Sequence, residues 1–286
     1  METILYELVG GWARITLNRP ERRNALSNQL LDELEATLWE ADEDREVHAV
    51  LLRGAGPSFC SGYDLSRAPR SEERHRPGAS KFRGIRSIDD DIWQIERNQR
   101  AMMTLFDMHK PVVAQVHGNC LAGGIDLAML CDLVIAADDA RIGFPPARNA
   151  GTLPINMWLW HIPAQWAKRL LLTGDSITGR DAAKIGLVLE SVPADELEAH
   201  CHALMDRLAL IDADILAANK RSVNLSMELM GARTMQRLAA ELDARGHQAR
   251  SAQQFFGDVA AGGTKAASAR RDEPFGGDGW ITVRDR

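Results

Sequence analysis

Residues 110 to 145, KPVVAQVHGNCLAGGIDLAMLCDLVIAADDARIGFP, constrain the fold more than any other stretch. The run 110–118 is apolar and rich in β-branched residues, which predicts a buried strand. A loop with paired glycines follows, then an apolar helical run. CDLVIAADDARIGFP (131–145) supplies the next strands. Strand, glycine loop, helix and strand in immediate succession point to an α/β chain. The cycle is already present upstream. METILYELVGGWARITLN reads as strands joined at a Gly-Gly turn, with 13–18 as a clear strand. Residues 27–44 carry apolar positions at helical spacing behind Ser27, a good N-cap. VHAVLLRGAG (47–56) is a strand ending in a glycine turn.

Beyond the strand-rich part, the sequence predicts a charged, apolar-poor excursion over 66–91 and an amphipathic helix over 92–108. From residue 175 the chain turns helical, with helices expected near 195–212, 213–230 and 232–256. A polar, Gly-rich tail follows. The 286 residues exceed what one minimal core needs. The expected division is a β-β-α core over 1–200 and a helical C-terminal region with tail over 201–286.

Net charge is −6, which argues against a nucleic-acid surface. No run approaches the roughly 18 to 20 apolar residues of a membrane span. The N-terminus lacks the basic start and apolar core of a signal peptide. Cys60, Cys120, Cys131 and Cys201 fit neither a zinc site nor a disulfide scaffold. Reduced thiols in a cytoplasm are the simplest expectation, with no metal site.

Two loops place small residues where a backbone can approach a ligand. They are FCSGYDL (59–65) and CLAGGIDL (120–127). A helix starting near Gly124 would aim free N–H groups at the loop, and these favour a developing negative charge. Two amides meeting at one carbonyl oxygen would form an oxyanion hole. Tight turns and close packing explain such glycines equally well.

Four ordered stretches, 15–27, 59–65, 110–145 and 167–192, resemble the crotonase superfamily, also called the enoyl-CoA hydratase/isomerase family. The resemblance covers residues 3 to 200 and, more loosely, the tail. It implies a spiral of β-β-α turns with a helical C-terminal region. It also implies trimers, often paired into hexamers, with the helical region at the interface. The implied substrate is an acyl-CoA thioester, CoA being part of the substrate and no separate cofactor being needed. The resemblance assigns the oxyanion hole to the amides of Tyr63 and Gly123. It lays CoA along Arg22, Arg23, Asn24 and Ala25, and along Ser61, Gly62, Asp64 and Leu65. Asp64 and Asp132 also suit loop-fixing roles.

Asp126 matches the first of two catalytic glutamates of the hydratases, shortened by one methylene. An acid in a helix's first turn also complements the dipole without catalysis. The second glutamate, twenty positions on, is matched by Pro146, and a one-residue shift gives Ala147. No Asp or Glu lies between Asp139 and Asp175. Arg148 stands nearby as a candidate partner for Asp126 or for a substrate carboxylate, or as a surface residue. His117 is expected to pack at a strand end. NMWLWHIPAQW (156–166) reads as core, subunit contact or acyl-pocket lining. Cys60 and Cys120 lack a neighbouring base. The implied reaction is enoyl-CoA hydratase-like water addition or elimination. Isomerisation, C–C or thioester hydrolysis, and non-catalytic acyl-CoA binding are the alternatives.

Overall fold

The computed structural model describes residues 2–65, 87–277 and 279–284. Strands β1 (Ile4–Val9) and β2 (Trp12–Leu17) form an antiparallel hairpin across Gly10 and Gly11. Helix α1 (Asn28–Glu43) starts where expected, Ser27 Oγ accepting the N–H of Leu30 at 3.1 Å. It buries Leu30, Leu31, Leu34 and Leu38. Strand β3 (Ala49–Gly54) then lies parallel to β2.

Helix α2 (Ile88–Asp107) begins four residues before the expected 92. Ser87 caps it through the Asp90 N–H, and Asp89, Asp90 and Asp91 fill its first turn. Acids at a helix N-terminus complement the dipole while looking apolar-poor in sequence. Residues 87–91 therefore belong to a helix and correct the excursion predicted there. Its remaining part, 66–86, lies outside the described residues.

Strand β4 (Val112–Val116) is buried throughout. Strand β5 (Asn119–Leu121) follows inside the stretch expected as loop, then helix α3 (Gly123–Met129), β6 (Leu133–Ala137) and β7 (Arg141–Gly143). Short helices α4 (Trp158–His161) and α5 (Ala164–Thr173) lead to β8 (Ser176–Thr178), α6 (Gly179–Ile185) and β9 (Glu190–Val192). One sheet has the order β1-β2-β3-β4-β6-β9, and a second contains β8-β7-β5. The chain thus alternates between sheets: β4 then β5, β6 then β7. This is the expected β-β-α spiral.

Four helices complete the chain: α7 (Leu197–Ala209), α8 (Ala213–Leu229), α9 (Ala232–Gly246) and α10 (Arg250–Asp272). The helix expected over 232–256 is two helices, broken at 247–249. Helix α9 packs along α2, burying Ile95, Ala240 and Ala244 together. The tail returns as β10 (Trp280–Ile281), parallel to β8 in the second sheet.

Candidate active site

Backbone pairing, rather than side chains, draws the two loops together. Leu26 N–H donates to Gly62 O at 2.8 Å, and Asp64 N–H donates to Leu26 O at 3.0 Å. This ladder engages Gly62 and Asp64 and leaves the Tyr63 amide between them facing away. Cys60 N–H donates to Asn119 O, and Leu121 N–H to Cys60 O, joining the 59–65 loop to β5. Gly62 has φ +106°, and a Cβ there would meet Ala122 Cβ at 2.7 Å and Gly123 N at 3.4 Å. No larger residue fits so close an approach.

Gly123 opens α3, where the first amides have no intrahelical acceptor. Among the described residues, neither the Tyr63 nor the Gly123 N–H has an acceptor. Ala122 stands at φ +52°, ψ −124°, an unusual conformation for a residue with a Cβ. Backbone strain of this kind costs on the order of 1–3 kcal/mol and persists where the surroundings enforce it. Here it turns the chain sharply from β5 into α3.

Asp126 lies three residues further on. It is 1% exposed, and neither carboxyl oxygen has a hydrogen-bond partner among the described residues. Its side chain therefore does not cap the helix. Burial pushes its pKa well above the carboxylate range, and the Asp243 charge pushes the same way. A buried, unpartnered carboxyl favours the neutral acid.

The residues matched to CoA contacts form one continuous strip. Ser61 N–H donates to Arg23 O at 3.0 Å, and Ser61 Oγ to Arg22 O at 3.4 Å. Arg22 and Arg23 are exposed at the end of a short 3-10 turn. Ala25 O accepts from Arg19 Nη1, and Asp64 pairs with Arg19 at 2.8 Å. The Asn24 side chain is committed to the loop: Nδ2 donates to Ala55 O and Ser58 O, and Oδ1 accepts from Arg19 N–H. Leu65 packs against Ala150 and against Phe255 and Ala267 of the C-terminal side.

The family model for enoyl-CoA hydratase/isomerase matches residues 7–256. The chain belongs to this family. It is 34% identical to an enoyl-CoA hydratase from Mycobacterium smegmatis, whose crystal structure superposes with a TM-score of 0.88 over 98% of this chain and 96% of that one. An enoyl-CoA hydratase/isomerase from Xanthobacter autotrophicus Py2 gives 34% identity and a TM-score of 0.85, covering 96% and 98%. A probable mitochondrial enoyl-CoA hydratase of Dictyostelium discoideum is 31% identical, over 75% of this chain and 73% of that protein. The relatives support an enoyl-CoA hydratase-like function acting on an acyl-CoA substrate.

Within this enoyl-CoA hydratase/isomerase chain, Arg148 is not a partner of Asp126. Its guanidinium is fully buried, paired with Asp175 at 3.0 Å and Asp272 at 2.8 Å, and stacked over Phe275. It also donates to Thr173 O and Gly277 O. It clamps the returning tail. Pro146 sits in a 3-10 turn (Pro145–Arg148), and its carbonyl accepts the amides of Asn149, Ala150 and Gly151. His117 Nε2 lies 2.9 Å from Gly56 O, a packing role. Asp132 accepts from Val112 N–H and pairs with Lys220 at 2.9 Å. Trp158 and Met157 are buried, with Met157 Sδ accepting from Gln236 Nε2. Burial pushes the Cys60 thiol up to about 12, so it is inert as a nucleophile.

Sequence reasoning missed five residues around the loop after Pro146. Asp243 on α9 accepts the Thr152 N–H at 2.7 Å. His247, just past α9, has Nε2 3.6 Å from Asp243 and Nδ1 2.7 Å from Asp91 on α2. The loop is fixed by Gln99, which donates to the carbonyls of Pro154 and Gln236, and by Gln236, which accepts the Asn156 N–H. No periodicity marks these residues, because they meet only after α9 docks on α2.

Proposed function

We propose that this protein adds water to the α,β double bond of an enoyl-CoA thioester. The observation that carries this reading is a buried, unpartnered Asp126 carboxyl three residues beyond a free Gly123 amide. The thioester oxygen would take hydrogen bonds from the Tyr63 and Gly123 N–H groups. As water attacks the β-carbon, charge moves onto that oxygen and the fixed amides stabilise the enolate without reorganising. Asp126, favouring its protonated form, delivers a proton to the α-carbon. Side chains at 63 and 123 contribute little to this, which suits a site made of backbone.

The CoA portion runs along the strip of Arg22, Arg23, Ala25, Ser61, Gly62, Asp64 and Leu65. The two exposed guanidinium groups suit its phosphates. The reading asks for no resident cofactor. It places the chain in the cytoplasm as a homotrimer or homohexamer through its helical region. Exposed Ile215, Val223, Leu225, Leu229 and Met230 on and beside α8 support assembly there. No described helix is long and apolar enough to cross a membrane.

Crotonyl-CoA tests the reaction. Loss of the conjugated-thioester absorbance, with 3-hydroxybutyryl-CoA as product, is expected, and Asp126→Ala abolishes it. Absence of turnover with crotonyl-CoA and longer enoyl-CoAs, despite binding, refutes the reading.

A further inference from the structure

Water addition needs one group to take a proton from water and another to give one to carbon. Between Asp139 and Asp175 the sequence offers no second acid. The loop that follows Pro146 nonetheless receives a carboxyl, from α9. Asp243 is 5% exposed and holds the Thr152 N–H through Oδ1. Gly151 lies against it: a Cβ there would stand 2.5 Å from Asp243 Oδ1 and 3.0 Å from His247 Nε2. A side chain at 151 would separate loop and carboxyl. Behind Asp243 runs a chain of groups: His247 Nε2 at 3.6 Å, then Asp91 Oδ2 at 2.7 Å from His247 Nδ1. Asp91 is 5% exposed, whereas His247 retains access to solvent. Among the described residues no cluster of three such groups has metal-binding geometry. A carboxyl set beside an imidazole suits acid–base chemistry.

Building on the hydratase reading, we propose that Asp243 is the second acid–base of the active site, with His247 and Asp91 as its positioning residues. Among the described residues, the Asp243 charge acts on Asp126, and it acts on Tyr63 after that of Asp126 itself. The groups around Asp243 are His247 beyond its own helix, the Thr152 amide and, behind His247, Asp91 from α2; Asp126 from α3 and Tyr63 from the 59–65 loop feel its charge. Burial pushes Asp243 up to about 6, against the His247 charge and the Thr152 N–H, which pull it down. Burial opposes charge on His247, yet the Asp91 hydrogen bond and the Asp243 charge prevail and raise its pKa. Two carboxylates that repel are disfavoured in the doubly ionised form. With Asp126 protonated and Asp243 ionised, the roles divide.

Asp243 takes a proton from water while the water oxygen bonds to the β-carbon. The π pair moves into the thioester, forming the enolate on the oxygen held by Tyr63 and Gly123. The enolate collapses as Asp126 gives its proton to the α-carbon. One water is consumed. The site resets when the proton gained by Asp243 is released to solvent and one returns to Asp126.

The test uses Asp243→Asn, which keeps an oxygen for the Thr152 N–H, and His247→Gln. Crotonyl-CoA hydration is followed from pH 5 to 9, with butyryl-CoA binding measured in parallel. Asp243→Asn is expected to lower kcat by about 100-fold or more, the usual scale for a lost acid–base group, with butyryl-CoA affinity within threefold. His247→Gln removes the charge that holds the Asp243 pKa down, so the acidic limb of kcat/KM moves to higher pH. A merely structural network would leave that limb in place. Asp243→Asn hydrating within threefold of wild type, or an unmoved limb in His247→Gln, overturns the inference alone. A wild type that binds butyryl-CoA but hydrates nothing overturns the hydratase reading beneath it.

Discussion

Replacing Asp126 by Leu should stabilise the protein while disabling it. The wild-type carboxyl is buried, unpartnered and raised well above its ordinary pKa by burial and by Asp243. In the unfolded chain the same group ionises near about 3.9. A carboxyl whose folded pKa is raised costs nothing below that value and costs more as pH rises toward the folded pKa. Each pH unit in that window is worth about 1.4 kcal/mol for one group. From pH 5 to pH 7 wild type therefore loses up to about 2.8 kcal/mol relative to a variant that cannot titrate there. At about 2–4 °C per kcal/mol for a domain of this class, the Tm difference, Leu minus wild type, should widen by about 5–10 °C. Calorimetry of both proteins across that pH range reads the difference directly. Turnover should fall by about 100-fold or more. A Tm difference that stays flat or shrinks with rising pH would show that Asp126 carries its charge comfortably, and would refute the reasoning.

Two further outcomes follow from other parts of the molecule. Arg148→Ala removes the buried guanidinium that joins Asp175 to Asp272, leaving them Arg169 and Arg271 as partners, and the lost charged hydrogen bonds cost about 1–3 kcal/mol. The expected result is a lower Tm and proteolytic release of the tail beyond Asp272, with KM for enoyl-CoA unchanged in the surviving folded protein. The double variant Arg22→Ala/Arg23→Ala should raise KM for CoA thioesters about 3- to 10-fold with little change in kcat, two exposed ion pairs being worth roughly 0.2–1 kcal/mol each. The increase should disappear with a pantetheine thioester, which lacks the nucleotide phosphates.

The spiral and its oxyanion loops were legible in the sequence because they are local. Gly62, Gly123 and Gly124 sit beside the strands and helix they join, and short-range spacing records that arrangement. The lack of an acid after Asp139 was equally plain. The group that fills the gap was not. Asp243 lies on, and His247 just past, a helix whose apolar period reports only the face buried on α2, by Ala240 and Ala244. Their meeting with Asp91 and Gly151 depends on long-range docking that no spacing encodes. Asp91 was hidden further, because a dipole-complementing first turn reads like a charged loop. Arg148 misled for the converse reason. Nearness in sequence to the missing acid suggested the site, while its partners Asp175 and Asp272 lie 27 and 124 positions away.

The central claim is that the amides of Tyr63 and Gly123 receive a thioester oxygen in front of Asp126. A crystal structure of the protein with acetoacetyl-CoA tests it most directly. The account predicts the thioester oxygen about 2.7–3.1 Å from both nitrogens, with the α-carbon facing Asp126. A thioester lying elsewhere, or an oxygen bound by neither amide, would contradict it.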